Sequence, residues 1–223
     1  MNTLLLHADN VLRSATRQQN ISALDWRRTI AIIAFCGVFY GALMGTWGGV
    51  SGDRPLQIVY SALKVPLLLG VTFCISAPSF WMMSTLLGLG DDFEYSLRAL
   101  CATQAGISLI LASLAPFTLL FYASSTNYES AILFNVSMFA IATFCGQKLL
   151  RAHYSALIER DSRHRKVLIG WLVVFALVAV QMAWLLRPFV GDPNAPVTFF
   201  RADALTNAYE NLGRILVRAF YNR

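Results

Sequence analysis

The chain has 223 residues, of which 57% are hydrophobic and 13% charged. With a mean hydropathy of +0.55, that is more apolar side chain than a soluble domain of this size buries, so the composition excludes an ordinary soluble fold and points to a polytopic membrane protein in one bundle. The formal charge of +6, from 18 Lys+Arg against 12 Asp+Glu, does not point to nucleic acid: no basic run is interleaved with aromatics, and basic loops facing anionic lipid account for it.

Residues 1–28 are too long and too polar for the leading region of a cleaved signal peptide and are expected to stay in the protein. Leu4, Leu5, Ala8, Val11, Leu12 and Ala15 recur at helical spacing, with His7, Asp9, Arg13 and Arg17 on the other side. This pattern predicts a short amphipathic helix lying at the membrane surface. Ser22 and Asp25 then form a capping pattern, and Trp26, Arg27 and Arg28 an interface anchor, for the first span.

That span, Thr29 to Val50, is free of charge and carries glycine at 37, 41, 45 and 49. A spacing of four places Gly37, Gly41, Gly45 and Gly49 along one slowly turning stripe, a groove where another helix backbone can approach. The expected neighbour lies within the bundle or in a second copy. Ser51 to Pro55 reads as a turn.

From Leu56 to Gly90 the apolar run is too long for one upright span and too short for two. Lys64-Val65-Pro66 divides it in this reading, with Leu56 to Leu63 an approach segment and Pro66 to Leu87 the second span, because the residue before proline resists helical geometry and lysine prefers the interface. The third span is expected from about Leu97 to Ala123, bent near Pro116. The fourth runs from Ser130 to about Leu150 and continues as helix through Ile158. Arg160 to Lys166 stops it, and the fifth runs from Val167 to about Leu186. The fold class is thus all-α: a transmembrane bundle of five spans with amphipathic helices at both ends, divided as 1–28, 29–190 and 191–223.

Lysine and arginine set the orientation. Arg13, Arg17, Arg27, Arg28, Arg98, Lys148, Arg151, Arg160, Arg163, Arg165 and Lys166 share one side, against Arg54 and Lys64 in the opposite loops. The first side, with the N-terminus, is expected in the cytoplasm, the membrane being the bacterial cytoplasmic membrane. The tail carries Arg187, Arg201, Arg214, Arg218 and Arg223. Five spans place it outside, whereas a sixth crossing would return it. It opens with a proline-rich loop through Pro188, Pro193 and Pro196, and an amphipathic helix is predicted from Asp203 to Tyr221.

At this loop the chain resembles a known group. Lys64-Val65-Pro66, Pro78-Ser79 and Gln181-Met-Ala-Trp184-Leu-Leu-Arg187-Pro188-Phe189-Val-Gly191, with Pro193, Pro196 and Phe199-Phe200-Arg201, are similar to a group of uncharacterised bacterial integral membrane proteins, itself loosely similar to the Yip family. The resemblance covers about residues 54 to 201. It implies a multi-helix fold, commonly of five spans, that acts through membrane partners without an established activity.

No catalytic residues, metal set or cofactor motif are read in the chain, and an enzyme is not expected. Cys36, Cys74, Cys101 and Cys145 each stand alone in an apolar segment, which excludes a CxxC-type zinc or disulfide pattern. Asp91, Asp92 and Glu94 are expected to cap the third span and favour its positive N-terminal end, the alternative for such a cluster being to coordinate a cation. His7, His153 and His164 lack metal-ligand spacing. Gln104, Asn135, Gln147 and Gln181 are intramembrane polar residues that either bond neighbouring helices or line a path.

Parity puts Lys64, entering the second span, and Arg187, leaving the fifth, on one face with Arg54 and Arg201. The candidate site is therefore a convergence of Lys64, Arg187 and Arg201, with the helix start at Pro66, on an anionic group, whether a lipid headgroup, a solute or a partner's carboxylate; the alternative is that each cation simply snorkels to lipid phosphate. The function expected from all this is a non-enzymatic scaffold or accessory subunit, a homo-oligomer or a partner of another membrane protein, that docks helices or anionic lipid. The alternative is a channel or transporter for a small ion or solute.

Overall fold

The computed structural model describes residues 6–11, 25–47, 49, 54–192 and 196–200. Among them there is helix and no strand, and five helices are long and apolar enough to cross a membrane. They are α1 (Trp26–Gly45), α2 (Arg54–Leu86), α3 (Phe93–Ser124), α4 (Tyr128–Arg160) and α5 (Arg163–Leu185), with a 3-10 turn at Gly90–Asp92 before α3.

Helix α1 starts at the residue its cap dictates. Asp25 is extended, and its Oδ1 accepts the Arg27 N–H at 3.0 Å, satisfying one of the donors that a helix start leaves open. The helix ends at Gly45, four glycines short by one: Thr46 closes it onto the Leu43 carbonyl, and Gly49 stands beyond it at φ +97°, a left-handed conformation. The expected span from Thr29 to Val50 is thus shifted toward the N-terminus. Its 20 residues give about 30 Å, the thickness of a bilayer's hydrocarbon.

Helix α2 corrects the sequence reading most. It runs unbroken for 33 residues through both Pro66 and Pro78, so Lys64-Val65-Pro66 divides nothing and no helix starts at Pro66. The reason is the solvent. A proline removes one backbone hydrogen bond, but ending a helix in hydrocarbon would orphan up to eight backbone groups at several kcal/mol each. At its far end Leu89 N–H bonds the Ser84 carbonyl and Gly88 N–H that of Thr85, with Gly88 at φ +70°. This paired closure satisfies carbonyls that the helix end would otherwise leave open.

Helix α4 begins at Tyr128 because Asn127 caps it, accepting the Ser130 N–H at 3.0 Å. It continues to Arg160, past the membrane thickness, as the apolar period through Ile158 predicts. The carboxylates expected to cap α3 do lie at its start, Asp91 and Asp92 in the 3-10 turn and Glu94 in the first turn, but not as side-chain caps. Asp92 occupies the cap position but makes no side-chain cap bond; it instead meets Arg160 at 3.1 Å and His164 at 3.2 Å, while Glu94 pairs with Arg98 at 2.7 Å.

Helix α1 lies between α2 and α3, α4 packs on α3, and α5 packs on α2; α4 and α5 meet mainly near their connection. One core layer joins Tyr40, Met44, Val65, Leu69, Leu111, Met138 and Val190. The other joins Phe80, Leu100, Leu150, Tyr154 and Trp171 toward the opposite end. Residues 6–11 are helical and packed on the bundle, Val11 being fully buried in a cluster with Ile32, Cys36 and Ala105. His7, expected on the polar face, is turned inward to Thr29. The predicted helix from Asp203 to Tyr221 lies outside the described residues.

Candidate functional site: the donor stripe of α2 and the loop after α5

Arg54, Gln57, Ser61 and Lys64 are spaced three, four and three residues apart, which aligns them on one face of α2. All are hydrogen-bond donors. Opposite them runs the chain after α5, which Pro188 keeps out of helix, so its carbonyls have no helical N–H to accept from. The two deficits match.

Lys64 Nζ donates to the Pro188 carbonyl at 2.6 Å, and Ser61 Oγ and Gln57 Nε2 donate to that of Phe189, the latter at 3.3 Å. Arg54 Nη1 donates to the Asp192 carbonyl at 3.1 Å, and from α4 the Tyr128 hydroxyl reaches the Val190 carbonyl at 3.2 Å. Gly191 fits here because a Cβ would fall 2.7 Å from Gln57 Cγ. The second piece of the loop closes over the same helix, with Phe199 edge-on to Tyr60 at 5.2 Å and its ring 5.0 Å from Lys64 Nζ. Lys64 is left with no solvent exposure at all.

The expected convergence of Lys64 and Arg187 therefore takes another form. Both side chains bracket Pro188, but the Lys64 ammonium is enclosed by a carbonyl and a ring, and the Arg187 guanidinium lies over the Trp184 ring at 3.4 Å. The helix start that was to complete the site does not exist, since α2 passes through Pro66. Arg201 lies outside the described residues. Gln57, Ser61 and Tyr128 are the members that sequence reasoning missed; the donor spacing from Arg54 to Lys64 was the signal available.

The glycine stripe is filled from within the chain. Gly37 lies against Pro66, and a Cβ on Gly41 would collide with the Ser61 carbonyl oxygen. One on Gly45 would come within 2.6 Å of Ile58 Cα. Gly49, outside the helix, has nothing within 4 Å of such an atom and does not belong to the stripe.

Of the intramembrane amides, Asn135 joins three helices. Its Oδ1 accepts from the Tyr40 hydroxyl at 3.2 Å on α1, and its Nδ2 donates to the Tyr122 hydroxyl at 2.7 Å on α3, which in turn reaches the Met44 carbonyl at 3.3 Å. Gln104 is buried in α3, and its Oε1 has no hydrogen-bond partner among the described residues. Gln181 is half-buried on α5 and Gln147 half-buried on α4. No group of three His, Cys, Asp or Glu side chains placed to hold a metal ion occurs among the described residues. The chain matches no protein-family model, no curated protein and no solved structure.

Proposed function

We propose that this is a non-enzymatic integral membrane protein of the bacterial cytoplasmic membrane, its N-terminus in the cytoplasm, serving as a scaffold or accessory subunit that docks partner helices or anionic lipid on its outer face. The supporting observation is where the intramembrane polar groups are engaged. Lys64, Ser61 and Gln57 fasten the chain's own loop, and Asn135 fastens α1 to α3 and α4. Polar side chains committed to internal bonds serve assembly of the bundle. The glycine groove is likewise occupied by α2, so a second copy or another protein would meet α5, where Ile169, Val173, Leu177 and Val180 are all about half exposed along one face. The Yip-like resemblance favours the same reading by analogy.

One observation favours the channel or transporter reading. Below Lys64 the buried face of α2 continues with Thr72 and Ser76, and the Thr72 hydroxyl has no hydrogen-bond partner among the described residues. A photo-crosslinking residue at Val173 separates the two. The scaffold reading expects a discrete protein adduct at Val173 and none at the lipid-facing Phe35 of α1, with liposomes of the purified protein tight to ions and small solutes. Flux through such liposomes, lost in Thr72→Val, would establish the other reading instead.

A further inference from the structure

His7 is 7% exposed, and its Nε2 lies 3.2 Å from the Thr29 hydroxyl in the first turns of α1. That hydroxyl also sits 3.0 Å from the Asp25 carbonyl oxygen. A carbonyl only accepts, so the Thr29 proton goes to Asp25 and its oxygen accepts from the imidazole. The docked histidine is thereby fixed as the Nε2–H tautomer, which is complete without a second proton. One turn on, Val11 is fully buried in the cluster of Ile32, Cys36 and Ala105, so His7 and Val11 together seat residues 6–11 on α1 and α3.

A proton added to His7 would bring a charge into this seat. On α1 the facing groups are Arg28, which repels it, and Asp25, which attracts it; but Asp25 already accepts the Arg27 N–H and lies 3.4 Å from Arg28 Nε. On α3 the charged groups are Arg98 and Glu94, paired with each other, with Arg98 also over the Trp26 ring. Asp9 lies on the segment itself, where it is exposed. Burial first, then Arg28, holds the His7 imidazole below its ordinary value, with Asp25 opposing.

We infer that His7 is an acid-release catch: the N-terminal helix is seated on α1 and α3 while His7 is neutral and leaves when it is protonated, uncovering Ile32, Cys36 and Ala105. The sign follows from linkage. A histidine whose proton affinity is lower when docked than when released favours docking fully above the free value of about 6.5, and docking weakens as pH falls below it, by about tenfold per pH unit until the docked imidazole itself titrates.

The test uses the full chain in lipid nanodiscs, its four cysteines replaced by alanine, with spin labels at Asn10→Cys and Ile30→Cys, both exposed positions. At about pH 8 one short inter-label distance is expected; at about pH 5, below the ordinary histidine range, a longer population should grow. His7→Gln, which still donates to Thr29 but cannot titrate, should show the same distribution at both pH values. Arg28→Gln should shrink the acid-released fraction, because the repulsion is gone. An unchanged wild-type distribution, an equal acid response in His7→Gln, or a larger released fraction in Arg28→Gln would each overturn the catch.

Discussion

Gly41→Ala is the sharpest test of how the bundle is held. Replacing glycine by alanine inside a helix ordinarily favours the helix by about 1 kcal/mol. At Gly41 the added methyl would strike the Ser61 carbonyl oxygen and lie 3.0 Å from Ala62 Cα. Both obstacles are backbone, so no rotamer change relieves them and α1 must separate from α2. Overpacking of that kind costs about 1–3 kcal/mol, and at a backbone obstacle the upper end applies, so the expected net loss is about 2 kcal/mol. For a chain of this size that corresponds to a fall of about 4–8 °C in melting temperature.

Two internal comparisons make the figure specific. At Gly37 the nearest atom would be Pro66 at 3.3 Å, a contact that a shift of a few tenths of an ångström relieves, so Gly37→Ala should be close to neutral. At Gly70 nothing lies within 4 Å, and Gly70→Ala should stabilise by about 0.5–1 kcal/mol. The assay is thermal unfolding in one detergent, followed by tryptophan fluorescence. If Gly41→Ala melts at or above Gly70→Ala, the close contact of α1 with α2 is not what the glycines provide.

Lys64→Met keeps the stem but leaves the Pro188 carbonyl without its donor, which should cost about 1–3 kcal/mol; alkylation of a Val190→Cys reporter should rise in that background and stay low in the parent. Asn135→Leu removes bonds to Tyr40 and Tyr122 and should lower stability by about 0.6–1.7 kcal/mol, the range for interhelical bonds in membranes, as read from denaturant-induced unfolding in mixed micelles. Asp161, in the connection before α5, is held well below the usual carboxylate range, at about 2, first by the Arg163 guanidinium and then by its N–H. A depressed carboxylate stabilises above its unfolded value of about 4, and that contribution disappears as pH falls through about 2. Asp161→Asn should flatten the melting temperature across that window and leave the neutral-pH profile otherwise parallel.

Composition and hydropathy alone determined the class and the five spans, because in hydrocarbon a run of apolar residues has only one way to satisfy its backbone, and helix is that way. The capping pattern at Asp25 and the four-residue spacing of Gly37, Gly41 and Gly45 were legible for a similar reason: each acts within a turn or two of its own chain, whereas the Asn127 cap of α4 was not read. Pro116 was read inside its span, as α3 has it, but what the second span does at Pro66 was not legible. Its local sequence, a lysine one residue before the pre-proline position, reads as a boundary, yet α2 passes through Pro66 and packs it against Gly37. Nor could the sequence say that the donors from Arg54 to Lys64 face the loop at Pro188, since 124 residues separate Lys64 from its partner. The helical period aligned those donors, but which surface they meet depends on α5 packing against α2 and delivering the following loop to α2's first turns. A buried ammonium and a snorkelling one have the same local sequence; the difference is made by what the rest of the chain lays over it.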